Sequence, residues 1–188
     1  MKRTLVLIIV ALTSIFSCKN RVENRSENIQ KPLVDSRGYI VEVGDSVPDF
    51  QIQYLDGRTE KLSDHKGKVI MIQFTASWCG VCRKEMPHIE ERIWKKFSDN
   101  QNFLLIGIDF KEDAATTEKF SKDMNITYPL TLDKEGERFS LFCGADAGVT
   151  RNIIVGPDGK IIMLTRLFDE EEFNKMVEMI ASELNKIS

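Results

Sequence analysis

The segment Trp78-Cys79-Gly80-Val81-Cys82 holds the residues best suited to chemistry. It follows an apolar run and opens an amphipathic stretch. The two cysteines therefore fall where a buried strand gives way, through a short loop, to a helix. At the first turn of a helix the backbone N–H groups lack intrahelical partners and the dipole favours negative charge. A cysteine there gains thiolate character, and the thiolate is the nucleophile. Two intervening residues bring the second sulfur within bonding reach across the turn. Cys79 can then attack a disulfide, and Cys82 can resolve the mixed disulfide. The other readings are a structural bridge and half of a zinc site. Zinc takes four ligands, and beyond the pair only His65, His88 and Cys143 remain, with no second Cys-x-x-Cys. No metal or cofactor is expected.

The elements that must position this pair are legible in the apolar pattern. Val69 to Phe74 is nearly continuous apolar sequence, as expected of a strand buried on both faces, and Phe103 to Ile108 is a second such run. Between them Met86, Ile89, Ile93 and Phe97 recur at helical spacing, so a long helix separates two parallel strands. Pro87 lies inside that helix and predicts a kink. A shorter helix is expected from Asp113 to Met124. Upstream, Phe50 to Tyr54 and Arg58 to Leu62 flank the hairpin signal Asp56-Gly57. Downstream, Ile153 to Val155 and Lys160 to Leu164 flank Pro157-Asp158-Gly159, a second hairpin. A last helix follows Asp169, with Glu172 three residues on as in a capping box. Phe173, Met176, Val177, Ile180 and Leu184 form its apolar stripe. The fold class is α/β: a mixed central sheet with helices on both faces and an N-terminal β-hairpin extension.

The chain has 188 residues, 42% hydrophobic and 29% charged, which suits one globular domain. Its 26 basic and 29 acidic side chains leave a net charge of −3, with no electrostatic footprint for nucleic acid. The first segment reads differently. Lys2 and Arg3 precede the apolar run Leu5 to Leu12, the layout of a signal peptide over 1–17. The run is too short to span a membrane. Ile15-Phe16-Ser17-Cys18 resembles a bacterial lipobox, which makes Cys18 the expected lipidation site and the lipid a membrane anchor. The alternative is simple secretion with an incidental cysteine. Residues 18–40 are polar and aperiodic, a flexible tether, and the folded domain is expected over 41–188 with order beginning near Val41. The expected location is the periplasm, attached to a bacterial envelope membrane, where disulfide chemistry is available.

From Val43 onward the chain resembles the TlpA/ResA-like extracytoplasmic thiol–disulfide oxidoreductases of the thioredoxin superfamily, within the AhpC/TSA-like redoxins. The motifs carrying the resemblance are Gly44-Asp45-Ser46-Val47-Pro48-Asp49-Phe50, Gly67-Lys68-Val69, Trp78-Cys79-Gly80-Val81-Cys82, Glu85-Met86-Pro87 and Gly159-Lys160-Ile161. The first is shared with peroxiredoxins. The resemblance implies a thioredoxin-like fold, a disulfide-bearing protein substrate, and a membrane thiol-electron donor that recycles Cys79 and Cys82. It also implies that Glu85 sits beside the cysteines and helps proton traffic, where the residues alone allow a solvated helix charge. Gln73 stands where cytoplasmic thioredoxins carry a buried Asp and cannot act as a base.

The chain departs from that pattern in two places. Val81 replaces the usual proline of the Cys-x-x-Cys motif. Thr150 falls where a cis-proline normally faces the cysteines, so the Val149–Thr150 bond is expected to be trans. Thr150 and Arg151, as loop residues, are candidates to line the site with Trp78, Gly80 and Val81. Trp78 is expected as a packed shoulder beside Cys79 with an edge open to a partner. Cys143 reads as a buried, inert thiol, with a third redox centre or an intermolecular bridge as alternatives. His65 and His88 read as surface residues.

The leading function is therefore thiol–disulfide exchange, more in the reducing than the oxidising direction. A thiol peroxidase is the runner-up, but Ala76 and Ile72 occupy the positions where peroxiredoxins set Thr or Ser and an upstream Pro. A non-catalytic lipoprotein with a stable Cys79–Cys82 bridge is the third reading.

Overall fold

The computed structural model describes residues 37–187. The expected signal segment 1–17, Cys18 and the tether as far as residue 36 lie outside the described residues. The first hairpin forms around its predicted turn: β1 (Gln51–Gln53) pairs antiparallel with β2 (Thr59–Lys61), and Gly57 supplies a φ of 85°. A single 3₁₀ turn, Leu62–His65, leads on to the main sheet.

That sheet has five strands. β3 (Val69–Thr75) is buried along its whole length and pairs in parallel with β4 (Phe103–Phe110). On the other side of β3 lies β6 (Arg151–Val155), antiparallel to it and to β7 (Ile161–Arg166). The fifth strand, β5 (Leu130–Asp133), is parallel to β4, giving the order β5-β4-β3-β6-β7. β5 was not foreseen; four residues behind Pro129 are too few to show a period.

Side chains alternate across β3. Val69 and Met71 face a core with Met86, Ile89, Ile93, Phe120, Phe173 and Met176, so the three longer helices share that face. These are α1 (Gly80–Ile89), which continues through a wide turn, Glu90–Trp94, into α2 (Lys95–Phe97); α3 (Ala114–Asp123); and α5 (Glu170–Lys186). Asp113 and Asp169 cap α3 and α5, accepting the backbone N–H of Thr116 and Glu172. Ile70, Ile72 and Phe74 face the opposite core, together with Cys82 at the start of α1 and Phe139 of the short helix α4 (Glu137–Ser140). The N-terminal hairpin and Tyr39 complete its cover. Each buried aliphatic or aromatic side chain here contributes about 1.5–3 kcal/mol.

The helix runs on past Pro87 and widens over Glu90–Trp94, where Lys95 N–H bonds to Glu90 O in an i→i+5 turn. Two details differ from expectation. Packing begins before Val41: Tyr39 is fully buried and its hydroxyl donates to Thr165 O at 2.5 Å. Neither histidine is a plain surface residue, since His65 contacts Glu60 at 2.9 Å and His88 stacks on Phe168.

Candidate active site

Cys79 is the N-cap of α1, in extended conformation, and its sulfur accepts the N–H of Cys82 at 3.2 Å. The two sulfurs form a disulfide. Cys82 is fully enclosed, whereas Cys79 keeps 8% of its surface and borders an open hollow of about 310 Å³. Trp78, Gly80, Val81, Val149 and Thr150 share that rim, with Phe110, Arg166 and Leu167. Trp78 is 64% exposed, so it stands out from the surface and is not packed as a shoulder.

Thr150 comes closer to the reacting atoms than the sequence suggested. Its hydroxyl oxygen lies 3.1 Å from Cys79 Sγ and 3.3 Å from Cys82 Sγ. Among the described residues no peptide bond is cis, as expected for threonine at this place. Arg151 is a correction. It is the first residue of β6, not a loop residue, so its side chain leaves on the opposite sheet face from its neighbours. It is fully buried, with its guanidinium 4.5 Å from the centre of the Tyr39 ring and donating to Gly148 O and Arg37 O. It does not line the hollow.

Glu85 is buried, one helical turn after Cys82 in sequence, so the solvated reading is set aside. Asn152 Nδ2 donates to Glu85 Oε1 at 2.7 Å and to Thr165 Oγ1 at 3.0 Å. Burial pushes the Glu85 carboxyl up to about 7, against the pull of the Asn152 and Gln73 amides. Gln73 in turn accepts the Tyr128 hydroxyl at 2.8 Å. Gln73, Asn152 and Thr165 are direct register neighbours on β3, β6 and β7, so they form one polar row across an apolar sheet. Gly107 ends the row on β4, and a Cβ there would run into Leu130 and Tyr128.

A second acidic group holds the loop in front of Cys79. Glu112 accepts the N–H of Ser77 at 2.7 Å and its hydroxyl at 2.5 Å. Asp109, at the end of β4, is fully buried beside it. Burial and the neighbouring Glu112 charge raise its carboxyl well above the usual range. Asn152, Thr165, Tyr128, Asp109, Glu112 and Leu167 were not singled out in the sequence. The available signal was a polar residue interrupting or ending an apolar strand, which Gln73 and Asp109 both show. Cys143 is buried in the core behind the site, as expected. Among the described residues no cluster suited to a metal ion occurs.

Comparison with known proteins agrees with this geometry. The chain is 27% identical over 143 residues to the thiol-disulfide oxidoreductase ResA of Geobacillus thermodenitrificans, covering 74% of this chain and 79% of the relative. It is 33% identical over 100 residues to the thioredoxin-like protein YneN of Bacillus subtilis, covering 51% and 56%. Among solved structures, a putative protein disulfide isomerase from Bacteroides thetaiotaomicron is 51% identical, with a TM-score of 0.77 over 80% of this chain and 94% of that one. A putative thiol:disulfide interchange protein DsbE from Chlorobium tepidum shares the fold at 24% identity, with a TM-score of 0.67 over 77% and 99%. The AhpC/TSA family model matches residues 43–163. With a helix-capping Cys79, an enclosed Cys82 and these relatives, the chain belongs to the AhpC/TSA family as a thiol–disulfide oxidoreductase of thioredoxin-like fold.

Proposed function

We propose that this protein works outside the cytoplasm, reducing disulfides in client proteins through Cys79 and Cys82. In this reading a lipid on Cys18 holds it to an envelope membrane, and a membrane thiol donor returns the pair to the dithiol. The observation that carries the reading is the unequal placement of the two sulfurs: Cys79 borders the hollow, and Cys82 is fully enclosed. The Cys79 thiolate, at the border of the hollow, attacks the client disulfide, forming a Cys79–client bond and releasing one client thiolate. Cys82 then loses its proton and attacks Cys79 Sγ, which closes the Cys79–Cys82 disulfide and frees the second client sulfur. Two electrons pass to the client, and its two thiolates take up two protons. Glu85, buried one turn from Cys82 and with a carboxyl at about 7, is suited to accept the Cys82 proton.

The signal-like start and the lipobox-like Ile15-Phe16-Ser17-Cys18 support the location. The peroxidase reading lacks its activating hydroxyl, because Ala76 stands there, fully buried. The test is Cys82→Ser expressed in the native host. It is expected to accumulate clients on Cys79 as mixed disulfides, absent in the Cys79→Ser, Cys82→Ser double variant. An empty trap, with no turnover of insulin disulfides by the native chain, overturns the exchange reading.

A further inference from the structure

Thr150 occupies the place from which the resemblance would bring a proline, a residue with no donor to offer. In the disulfide form neither sulfur carries hydrogen, so the bonds joining Thr150 Oγ1 to Cys79 and Cys82 run from the hydroxyl to sulfur. The side chain is 4% exposed. The backbone around it is fixed: Arg151 begins β6, and Thr150 O accepts the N–H of Leu167 at 3.2 Å. One hydroxyl hydrogen thus reaches either sulfur by rotation about the Cβ–Oγ1 bond, with no movement of heavy atoms.

We infer that the Thr150 hydroxyl is a catalytic hydrogen-bond donor that stabilises the thiolate on Cys79 during attack and on Cys82 during resolution. The inference rests on the exchange chemistry proposed above and adds a residue to it. A hydrogen bond to an ionised sulfur is stronger than one to a neutral sulfur, so the donor favours the charged form. Together with the Cys82 N–H, it supplies a second donor to Cys79 Sγ. Its proton stays on oxygen throughout. When Cys79 bonds to the client, the negative charge leaves with the client sulfur. When Cys82 is deprotonated, the hydroxyl turns to it. Once Cys82 bonds to Cys79, the charge leaves on the second client sulfur.

The test titrates the Cys79 thiolate in the reduced full chain, by its ultraviolet absorbance and by the pH dependence of alkylation. Thr150→Val keeps the branched shape and removes the hydroxyl. It is expected to raise the midpoint so that the thiolate fraction below it falls about tenfold, a change of one pKa unit. Thr150→Ser restores most of that loss. If valine disturbs folding, Thr150→Ala compared with Thr150→Ser makes the same comparison without added bulk. Equal titration with and without the hydroxyl overturns the inference. Failure of the native chain to turn over protein disulfides, with the hydroxyl effect intact, counts against the proposed function and leaves this assignment standing.

Discussion

The amide of Asn152 donates at 2.7 Å to the buried carboxyl of Glu85, from a strand that meets the active-site helix only through the fold. The same nitrogen donates to Thr165, which fixes the amide's orientation. Asn152 is therefore a positioning residue for Glu85, and its hydrogen bond favours the ionised carboxylate. Asn152→Ala is expected to move the Glu85 pKa upward by about one unit, since one charge-assisted bond contributes ~1.5–3 kcal/mol before water re-enters. The measurement is the pH profile of disulfide exchange, together with direct carboxyl titration by NMR. A limb that stays in place after the substitution removes Asn152 from this role.

Glu85 also ties stability to pH. Its folded value, about 7, lies above its ordinary 4.5, so the native state binds this proton more tightly than the unfolded chain. The contribution is complete below pH ~4.5, shrinks as pH rises towards ~7 and is level above that. The span corresponds to about 3 kcal/mol. Asp49, Glu60 and Asp113 are shifted downward and act with the opposite sign in acid, so the contribution is read as a difference. Native chain minus Glu85→Gln, by urea unfolding from pH 4 to 8, should show this slope, and parallel curves would disprove it.

Glu112 grips Ser77 through two bonds, two residues before Cys79. Removing the carboxylate leaves the Ser77 N–H without its acceptor, while removing the hydroxyl loses a single bond. In a double-mutant cycle, Ser77→Ala and Glu112→Ala should show a coupling of about 1–2 kcal/mol in stability. Glu112→Ala should also slow exchange, because the loop carrying Trp78 and Cys79 loses its anchor. Additive effects would mean that the two side chains act separately.

How far the sequence reaches is clearest along the polar row. Gln73 is visible as an interruption of Val69–Phe74, and Cys79 as the start of a helix, because both belong to local periodicity. Nothing local says that Gln73, Asn152 and Thr165 become neighbours; that follows from the β3–β6–β7 register. Glu85 was readable as a helix residue three positions after Cys82, but its burial depends on the same pairing. Arg151 was misplaced for a simple reason: β6 begins two residues earlier than its apolar run, so Arg151 takes a fixed place on the sheet face of Ile153 and Val155 and not a loop position. Tyr39 was hidden in a polar stretch, its packing set by contacts with β6 and β7 far along the chain.

Trp78 offers a test that separates client recognition from chemistry. At 64% exposure it contributes little to the core, so Trp78→Ala should leave unfolding free energy within about 0.5 kcal/mol of the native value. It borders the hollow at Cys79, with exposed Leu167 on the same rim, and makes a large apolar surface for a polypeptide flanking a disulfide. A small disulfide such as oxidised glutathione touches Cys79 without needing that surface. The variant should therefore raise KM for a protein disulfide severalfold while kcat/KM for the small one stays near native. An equal loss with both substrates would assign Trp78 to the geometry of the cysteine pair instead, and an unchanged KM for both would remove it from recognition.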